Sequence, residues 1–467
     1  MKQSICKIGN SLKEVMIAIN AEPSGIAFIT DDKDKLKGVF TDGDMRRLLL
    51  EDKKLTDIFT LDYIGEFIVG KVGEDFKALM KMTSKKVRII PIVNDDNLIV
   101  DYFRYEHKTH FTPVAEPSLS SKELEYLTDA YTSTWISSRG KYIDQFESEF
   151  SKYCGVDFGV ATSNGTVAIH LALEALGVGK GDEVIVPDLT FAATINAVLY
   201  AGATPVIVDV DVDRWTICPN AIEKAITAKT KAIIPVHVYG QPCEMDRIMD
   251  ISQKHKLFVV EDCAEAHGAT FKGEKVGSFG HISTFSFFAN KIITTGEGGM
   301  CVTNDTELDA KMRILRDHGM SPSKRYWHDV VGYNYRMTNL QAAIGCGQLE
   351  RIEEILAGRD DIEKRYKKTF IGNSFKFQSI FQNSAKVVWL ICGTVPNRRD
   401  EFIEMLKGKM IDARPFFYPL SEMPIYSKYT HSNTNSVLIS KIGINLPTVL
   451  DTNIEEIQEV YKTFYPN

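Results

Sequence analysis

Long apolar runs are missing from this 467-residue chain, so nothing in it predicts a membrane-spanning helix. No apolar signal core follows residues 1–7, which sets a cytoplasmic location as the expectation. Close cysteine pairs are missing too. The 8 cysteines include no Cys-x-x-Cys, a pattern of reduced thiols rather than of a disulfide framework or a zinc site, and no metal is expected. Cys263 reads as a small buried residue rather than a reactive one. An excess of positive charge is also lacking. The formal net charge of −7 argues against a general nucleic-acid or membrane surface, so any phosphate site must be local. Neither a simple repeat nor a low-complexity tract is evident. What is present, 44% hydrophobic and 25% charged residues, is the balance of a globular protein long enough for more than one domain.

The most informative residue is Lys291. It ends the segment Phe285-Ser286-Phe287-Phe288-Ala289-Asn290-Lys291, which reads as a buried strand. A glycine-rich loop, Thr294-Thr295-Gly296-Glu297-Gly298-Gly299, then leads into a second strand. An amine at the rim of a buried sheet loses hydration and becomes nucleophilic, as a Schiff-base lysine must. A lone loop lysine is ordinarily a solvated charge. Three other segments weigh against that reading. In Val259-Val260-Glu261-Asp262-Cys263-Ala264-Glu265, Asp262 falls just past an apolar parallel-type strand, where ligands bind in open α/β sheets. A carboxylate there suits a pyridine nitrogen that must stay protonated, or it caps a helix. Thr162-Ser163-Asn164-Gly165-Thr166 opens a helix whose N-terminus can hold phosphate, with Gly165 allowing close approach and Thr166 adding a hydroxyl; the alternative is an ordinary cap. Ser286 offers a second hydroxyl, or is a strand serine without a ligand. Phe191, in Pro187-Asp188-Leu189-Thr190-Phe191, either stacks on a flat cofactor ring or belongs to the core.

In this order the motifs resemble the sugar-nucleotide aminotransferases of the DegT/DnrJ/EryC1/StrS family, over roughly residues 112–467. Further matching segments contain Trp135 and Ser137, His318, Asn334 and Arg414. Within the family, Trp135-Ile136-Ser137-Ser138 and Phe287-Phe288-Ala289-Asn290-Lys291 look most like the GDP-perosamine synthase subgroup. That subgroup aminates carbon 4 of a GDP-linked 4-keto-6-deoxy hexose. The resemblance implies pyridoxal 5'-phosphate as cofactor, carried by Lys291. Asp262 would pair with its ring nitrogen, Gly165, Thr166 and Ser286 would hold its phosphate, and Phe191 would cover its ring. Glu265 stands where many members have Gln beside the cofactor's phenolic oxygen, and marks the subgroup. Lys291 argues against the branch that carries His there and acts as a dehydratase. Asn334 would reach the cofactor phosphate across a subunit interface, in a homodimer or higher homo-oligomer. Trp135, Ser137, His318 and Arg414 are expected to bind substrate. The best expectation is transfer of an amino group from L-glutamate to GDP-4-keto-6-deoxymannose. The alternatives are a UDP- or dTDP-linked 3- or 4-keto sugar, or a nucleotide-sensing protein whose transaminase part is a scaffold. A role in polysaccharide biosynthesis goes with the first reading.

Strand and helix patterns alternate through the catalytic part, with strands at 184–186, 205–210, 232–236 and 257–260, which predicts a parallel sheet covered by helices. A helical stretch at 340–365 leads to a smaller C-terminal region with strands at 387–394 and 413–417. This fits the family's α/β fold, the aspartate-aminotransferase type (fold type I), with a PLP-binding domain at 121–350 and a small domain at 351–467. A polar stretch with Pro113 and Pro117, residues 107–120, reads as a linker. Residues 1–106 differ. Gly38-Val39-Phe40-Thr41-Asp42-Gly43-Asp44 strongly resembles a CBS (cystathionine β-synthase-type) domain, in which the Thr and Asp would bind the ribose of an adenine nucleotide. Asp44 is otherwise a helix cap. A second, degenerate copy at 69–105 lacks the motif, so a packing module without ligand is the equal alternative.

Overall fold

The computed structural model describes residues 4–21, 25–75, 78–79, 82–83, 87, 89–104, 111–430 and 433–466. The chain divides into two compact units, residues 1–109 and 110–467.

In the first unit, β1 (Ile5–Lys7), β2 (Ile26–Thr30) and β3 (Leu36–Thr41) form one sheet, and β4 (Gly70–Lys71), β5 (Ile89–Val93) and β6 (Ile99–Arg104) another. Each has a parallel pair followed by an antiparallel pair. The two turns match in detail. Asp31 Oδ1 accepts from the amides of Lys33 and Lys35, and Asn94 Oδ1 from those of Asp96 and Leu98. Asp34 and Asn97 hold equivalent left-handed positions, φ 60° and 64°. The second copy read in the sequence at 69–105 thus repeats the pairing and the turn of the first among the described residues. The two sheets share a core in which Phe28 meets Tyr102, with ring centroids 5.8 Å apart. Thr41 and Asp44 bond to each other at the start of the helix Asp42–Leu50. Thr41 Oγ1 donates to Asp44 Oδ2 at 2.7 Å, and the Asp44 amide donates back to Thr41 Oγ1 at 3.1 Å.

The second unit is built on a seven-stranded sheet of β7 (Phe158–Thr162), β8 (Glu183–Pro187), β9 (Thr204–Val208), β10 (Thr230–Ile233), β11 (Phe258–Asp262), β14 (Ile282–Ser286) and β15 (Gly299–Thr303). The short hairpin β12 (Thr270–Phe271) and β13 (Glu274–Lys275) lies between β11 and β14 in sequence. The sheet order is β7-β15-β14-β11-β10-β8-β9, parallel except for β15, which runs against both its neighbours. β14 and β15 are buried at every position, as strands covered on both faces require. All the parallel strands end at one edge, and β7, β8, β11 and β14 deliver their following loops there.

The expected helix at 340–365 is two helices, Asn339–Glu350 and Ile352–Thr369. They break at Arg351, whose guanidinium turns to Glu123 Oε1 at 2.8 Å and to the carbonyl of Ser118 at 3.1 Å. A smaller antiparallel sheet follows, in the order β16 (Lys376–Phe377), β18 (Ile391–Thr394), β20 (Gly443–Leu446), β19 (Arg414–Pro415), while β17 (Ser384–Ala385) pairs with β12. Of the expected linker, residues 107–110 lie outside the described residues. From Thr112 onward the chain is held within the second unit: the Thr112 amide donates to the Met410 carbonyl at 2.8 Å, the Thr448 amide to the Val114 carbonyl at 2.8 Å, and Val114 is buried. Backbone pairing, rather than the prolines, decides where the second unit begins.

Candidate active site

A cavity of about 730 Å³ opens at the edge where the parallel strands end. Its wall carries Gly165, Thr166, Phe191, Asp262, Glu265, Ser286, Lys291 and Arg414, residues spread over some 250 positions of sequence.

The loop after β7 turns at Asn164, whose side chain caps the helix Gly165–Ala175 by accepting from the Val167 amide at 3.0 Å. The first amides of that helix have no intrahelical acceptor, and the residues Gly165 and Thr166 that carry them line the cavity. Gly165 packs on Ser286: a Cβ added there would lie 2.7 Å from Ser286 Cβ. The small residue thus keeps a shallow cradle open between two hydroxyls, Thr166 and Ser286. This cradle, a helix N-terminus with no side chain in the way, fits a phosphate monoester.

Asp262 ends β11 and is buried. Thr194 Oγ1 donates to its Oδ2 at 2.8 Å, and the Ala264 amide donates to Oδ1 at 3.2 Å. Burial raises its pKa, and the Thr194 and Ala264 bonds work the other way. An apposed cationic ring nitrogen would stabilise the ionised form of this carboxyl. Lys291 lies five residues beyond β14, its side chain nearly enclosed. Its Nζ is 3.7 Å from Glu265 Oε1 and 4.1 Å from the centre of the Trp389 ring. Burial lowers its pKa, while Glu265 and Asp262 raise it. Burial likewise pushes Glu265 up to about 7, against the pull of Lys291 and of the Tyr239 amide. That amide donates to Glu265 Oε2 at 2.7 Å. Tyr239 reaches it from a left-handed backbone position, φ 54°, at a cost of roughly 1–3 kcal/mol for such strain. A buried nucleophilic amine, a buried acid and an anion cradle around one cavity fit the reactive groups of pyridoxal phosphate.

Phe191 stands at the mouth, 60% exposed, with its ring 5.9 Å from that of Phe417. Arg414 lines the wall and pairs with Asp412 at 3.1 Å. Four expected residues are not brought to this cavity within one chain. Trp135 and Ser137 lie on an exposed loop, where the Ser137 carbonyl accepts from the Asn339 amide at 2.6 Å. His318, at φ 61°, is exposed and 3.1 Å from Arg336 Nη2. Asn334 is exposed and accepts from Arg336 Nε at 3.0 Å.

Sequence reasoning passed over Trp389, Tyr239, Thr194 and Asn445. Thr194 follows Phe191 by three residues, so a helical turn would have placed its hydroxyl. The others come from distant segments with no spacing to tie them to Lys291. Glu261 was passed over too. Strand alternation turns it away from the cavity, where it accepts from His237 Nε2 at 3.0 Å, from Ser283 Oγ at 2.8 Å, and from the amides of Gly277, Phe279 and Gly280. Burial raises its pKa, but these donors outweigh burial and hold it below the usual range. His237, Glu261 and Cys263 cluster closely enough to resemble metal ligands. The Cys243 amide already occupies His237 Nδ1 at 3.0 Å, leaving Nε2 to donate to Glu261, so this cluster is a hydrogen-bonded hub.

The DegT/DnrJ/EryC1/StrS aminotransferase family model matches residues 117–465. The GDP-perosamine synthase of Caulobacter vibrioides is 48% identical over 345 residues, 72% of this chain and 92% of that protein. The GDP-perosamine synthase of Vibrio cholerae is 42% identical over 364 residues, 76% of this chain and 99% of that protein. Among solved structures, the PLP form of the sugar aminotransferase Spr1654 of Streptococcus pneumoniae superposes with a TM-score of 0.72 at 28% identity, covering 76% of this chain and 99% of that one. The fold is accordingly of the aspartate-aminotransferase type, and pyridoxal phosphate is the cofactor. The chain belongs to the DegT/DnrJ/EryC1/StrS aminotransferase family.

Proposed function

We propose that the enzyme transfers an amino group from L-glutamate to carbon 4 of GDP-4-keto-6-deoxymannose. The observation that carries the reading is the convergence of Lys291, Asp262 and the Gly165–Ser286 cradle on one cavity. The 42–48% identity to GDP-perosamine synthases along nearly their whole length supports the choice of substrate.

When bound, pyridoxal phosphate supplies an electron-withdrawing ring beside the carbon that carries the nitrogen. The chain's residues do the rest. Gly165, Thr166 and Ser286 would hold the phosphate. Asp262, kept in line by Thr194, would hold a proton on the ring nitrogen. Lys291 Nζ would carry the cofactor and, once freed from it, would move the proton from the donor's α-carbon to the cofactor carbon, and in the acceptor half from the cofactor carbon to the sugar carbon. Glu265 Oε1 stands by that nitrogen and steadies its charge. Phe191 and Phe417 cover the mouth, and Arg414 offers a cation to the donor's carboxylate or the nucleotide's phosphate.

Asn334, with Trp135, Ser137 and His318, completes the site from a second copy of the chain, so the working unit is a homodimer or larger. Residues 1–106 form a CBS pair with one nucleotide site at Thr41 and Asp44; the duplicated sheet topology supports the pairing. Their mutual capping bonds suit a helix cap in a packing module without ligand equally, and calorimetry with adenine nucleotides on wild type and Asp44→Ala decides between the two. No described helix is long and apolar enough to cross a membrane. A cytoplasmic step in polysaccharide biosynthesis is the setting we assign.

The test incubates the enzyme with glutamate and GDP-, UDP- or dTDP-linked keto sugars and follows 2-oxoglutarate. Conversion of GDP-4-keto-6-deoxymannose should be fastest and should vanish in Lys291→Ala. Faster turnover of a UDP- or dTDP-linked sugar would reassign the substrate, and substantial turnover by Lys291→Ala would remove the lysine from its role.

A further inference from the structure

Trp389 stands outside every sequence pattern that pointed to the site, yet it grips Lys291 twice. Its indole Nε1–H donates to the carbonyl of Asn290, the residue before Lys291, at 2.8 Å. The face of the same ring lies 4.1 Å from Lys291 Nζ. Trp389 is 5% exposed and forms part of the cavity wall. One side chain therefore touches both the backbone that presents the lysine and the nitrogen at its tip.

The tryptophan is itself held by its neighbours. Tyr239 stacks on it at 6.1 Å and 12°, and Phe417 at 6.3 Å and 23°. Arg359 Nη1 donates to the Trp389 carbonyl at 2.7 Å. Arg359 is 6% exposed, burial pushes its guanidinium down to about 10, and among the described residues no carboxylate forms an ion pair with it. A buried guanidinium without a counter-charge is destabilising. The Trp389 carbonyl is the acceptor this buried guanidinium meets, which ties the backbone of Trp389 in place.

Resting on the aminotransferase reading above, we infer that Trp389 is the positioning residue for Lys291: it sets where Nζ stands beside Glu265 and favours a positive charge on that nitrogen. The negative face of an indole attracts a cation at this distance, more strongly than the other aromatic rings do. The titratable groups that face Nζ are Glu265 and Asp262, with His267 behind; burial opposes its charge. Trp389 is the neutral group that offsets burial without competing for the proton.

The test compares full-length wild type, W389L and W389F, each loaded with pyridoxal phosphate. It uses pH titration of the cofactor's absorption band, steady-state kinetics and thermal unfolding. The band reports protonation of the nitrogen that Lys291 supplies. W389L removes both grips. The midpoint should fall by roughly one pH unit, the shift equivalent to a desolvated cation–π contact. Its kcat should fall by at least about tenfold while KM stays within about threefold. W389F keeps a weaker ring and loses the N–H, so its midpoint should fall by less and its kcat by several-fold. Rescue of both quantities toward wild type, in the order Leu, Phe, Trp, supports positioning. Unmoved midpoints, with activity tracking Tm, overturn it and leave Trp389 as packing. If W389L does not fold, wild-type midpoint and kcat in W389F overturn it alone. A wild type without any cofactor band fails the aminotransferase reading first, and this inference with it.

Discussion

Gly165→Ala puts the phosphate cradle to a direct test. The new Cβ would sit 2.7 Å from Ser286 Cβ, 3.1 Å from Ser286 Oγ and 3.3 Å from Ser286 Cα. Reaching ordinary contact needs a separation of about 0.7 Å, enough to forfeit a quarter to a half of a contact's dispersion energy and to spoil hydrogen bonds made by either neighbour. The strand cannot retreat, because β14 is buried on both faces between β11 and β15. The helix start must move instead, and with it the amides proposed to meet the phosphate. Overpacking of this kind costs roughly 1–3 kcal/mol, offset by up to about 1 kcal/mol from replacing a helical glycine with alanine. The fold should survive, with Tm lower by no more than about 4 °C. Cofactor affinity should suffer more: a tenfold or greater rise in Kd, about 1.4 kcal/mol or more. The assay is absorbance titration of cofactor-stripped protein with pyridoxal phosphate, alongside thermal unfolding. Gly408→Ala is the control, since a Cβ there meets nothing within 4 Å and Gly408 lies outside the cavity. An unchanged Kd in Gly165→Ala would refute the cradle, whatever the Tm.

Three further outcomes follow from the same site. Asp262→Asn keeps the shape and the Thr194 contact but cannot hold a full charge against the ring nitrogen; cofactor should still bind, and kcat should fall by at least about a hundredfold, within the span of a lost acid–base function. A wild-type rate would make Asp262 only a cap. Mixing inactive Lys291→Ala with inactive Asn334→Ala chains should restore activity, because one site of each heterodimer is intact; no recovery after proven subunit exchange counts against a shared site. In cofactor-free protein, Glu265 titrates near 7 against an ordinary 4.5, so the folded state holds its proton longer than the unfolded state does. This contribution is present below about 4.5 and is lost as pH rises through about 7, a span worth up to about 3 kcal/mol for this enclosed group. Glu265→Gln should flatten the loss of Tm between those two pH values, and an identical slope in both proteins would show that Glu265 titrates normally.

How much of this was legible in the sequence depended on how local each signal was. Gly165, Asp262, Ser286 and Lys291 each sit where an apolar strand gives way to a loop, and a strand end is written in a few consecutive residues. Their meeting at one cavity then follows from parallel topology, since parallel strands present their ends to one edge. The break at Arg351 was not legible, because the helical pattern runs through it; the cause is a guanidinium bonded to Ser118 and Glu123, more than two hundred positions away. The repeat in the first unit showed in the sequence only as a degenerate second copy, and its matching turns did not show at all. Asp31 and Asn94 make the same turn with different side chains, because either oxygen can accept two amides.

Glu261 and Asp262 show the boundary most sharply. They are adjacent acids at one strand end, and composition cannot rank them. The two-residue period of the strand sends one to the cavity and the other to five donors behind the sheet. Resemblance to a family singled out Asp262, and the register of β11 against β14 is what turns Asp262 rather than Glu261 to the cavity: slipping it by one residue would aim Glu261 at the cavity and strand His237 without its acceptor. The same long-range logic hid Trp389. Within Val388-Trp389-Leu390 it reads as one more apolar strand residue, and nothing short of the packed structure could show that its indole N–H meets the carbonyl beside Lys291. Motifs record where a chain turns toward its ligand; which distant side chain steadies the turn is decided by packing.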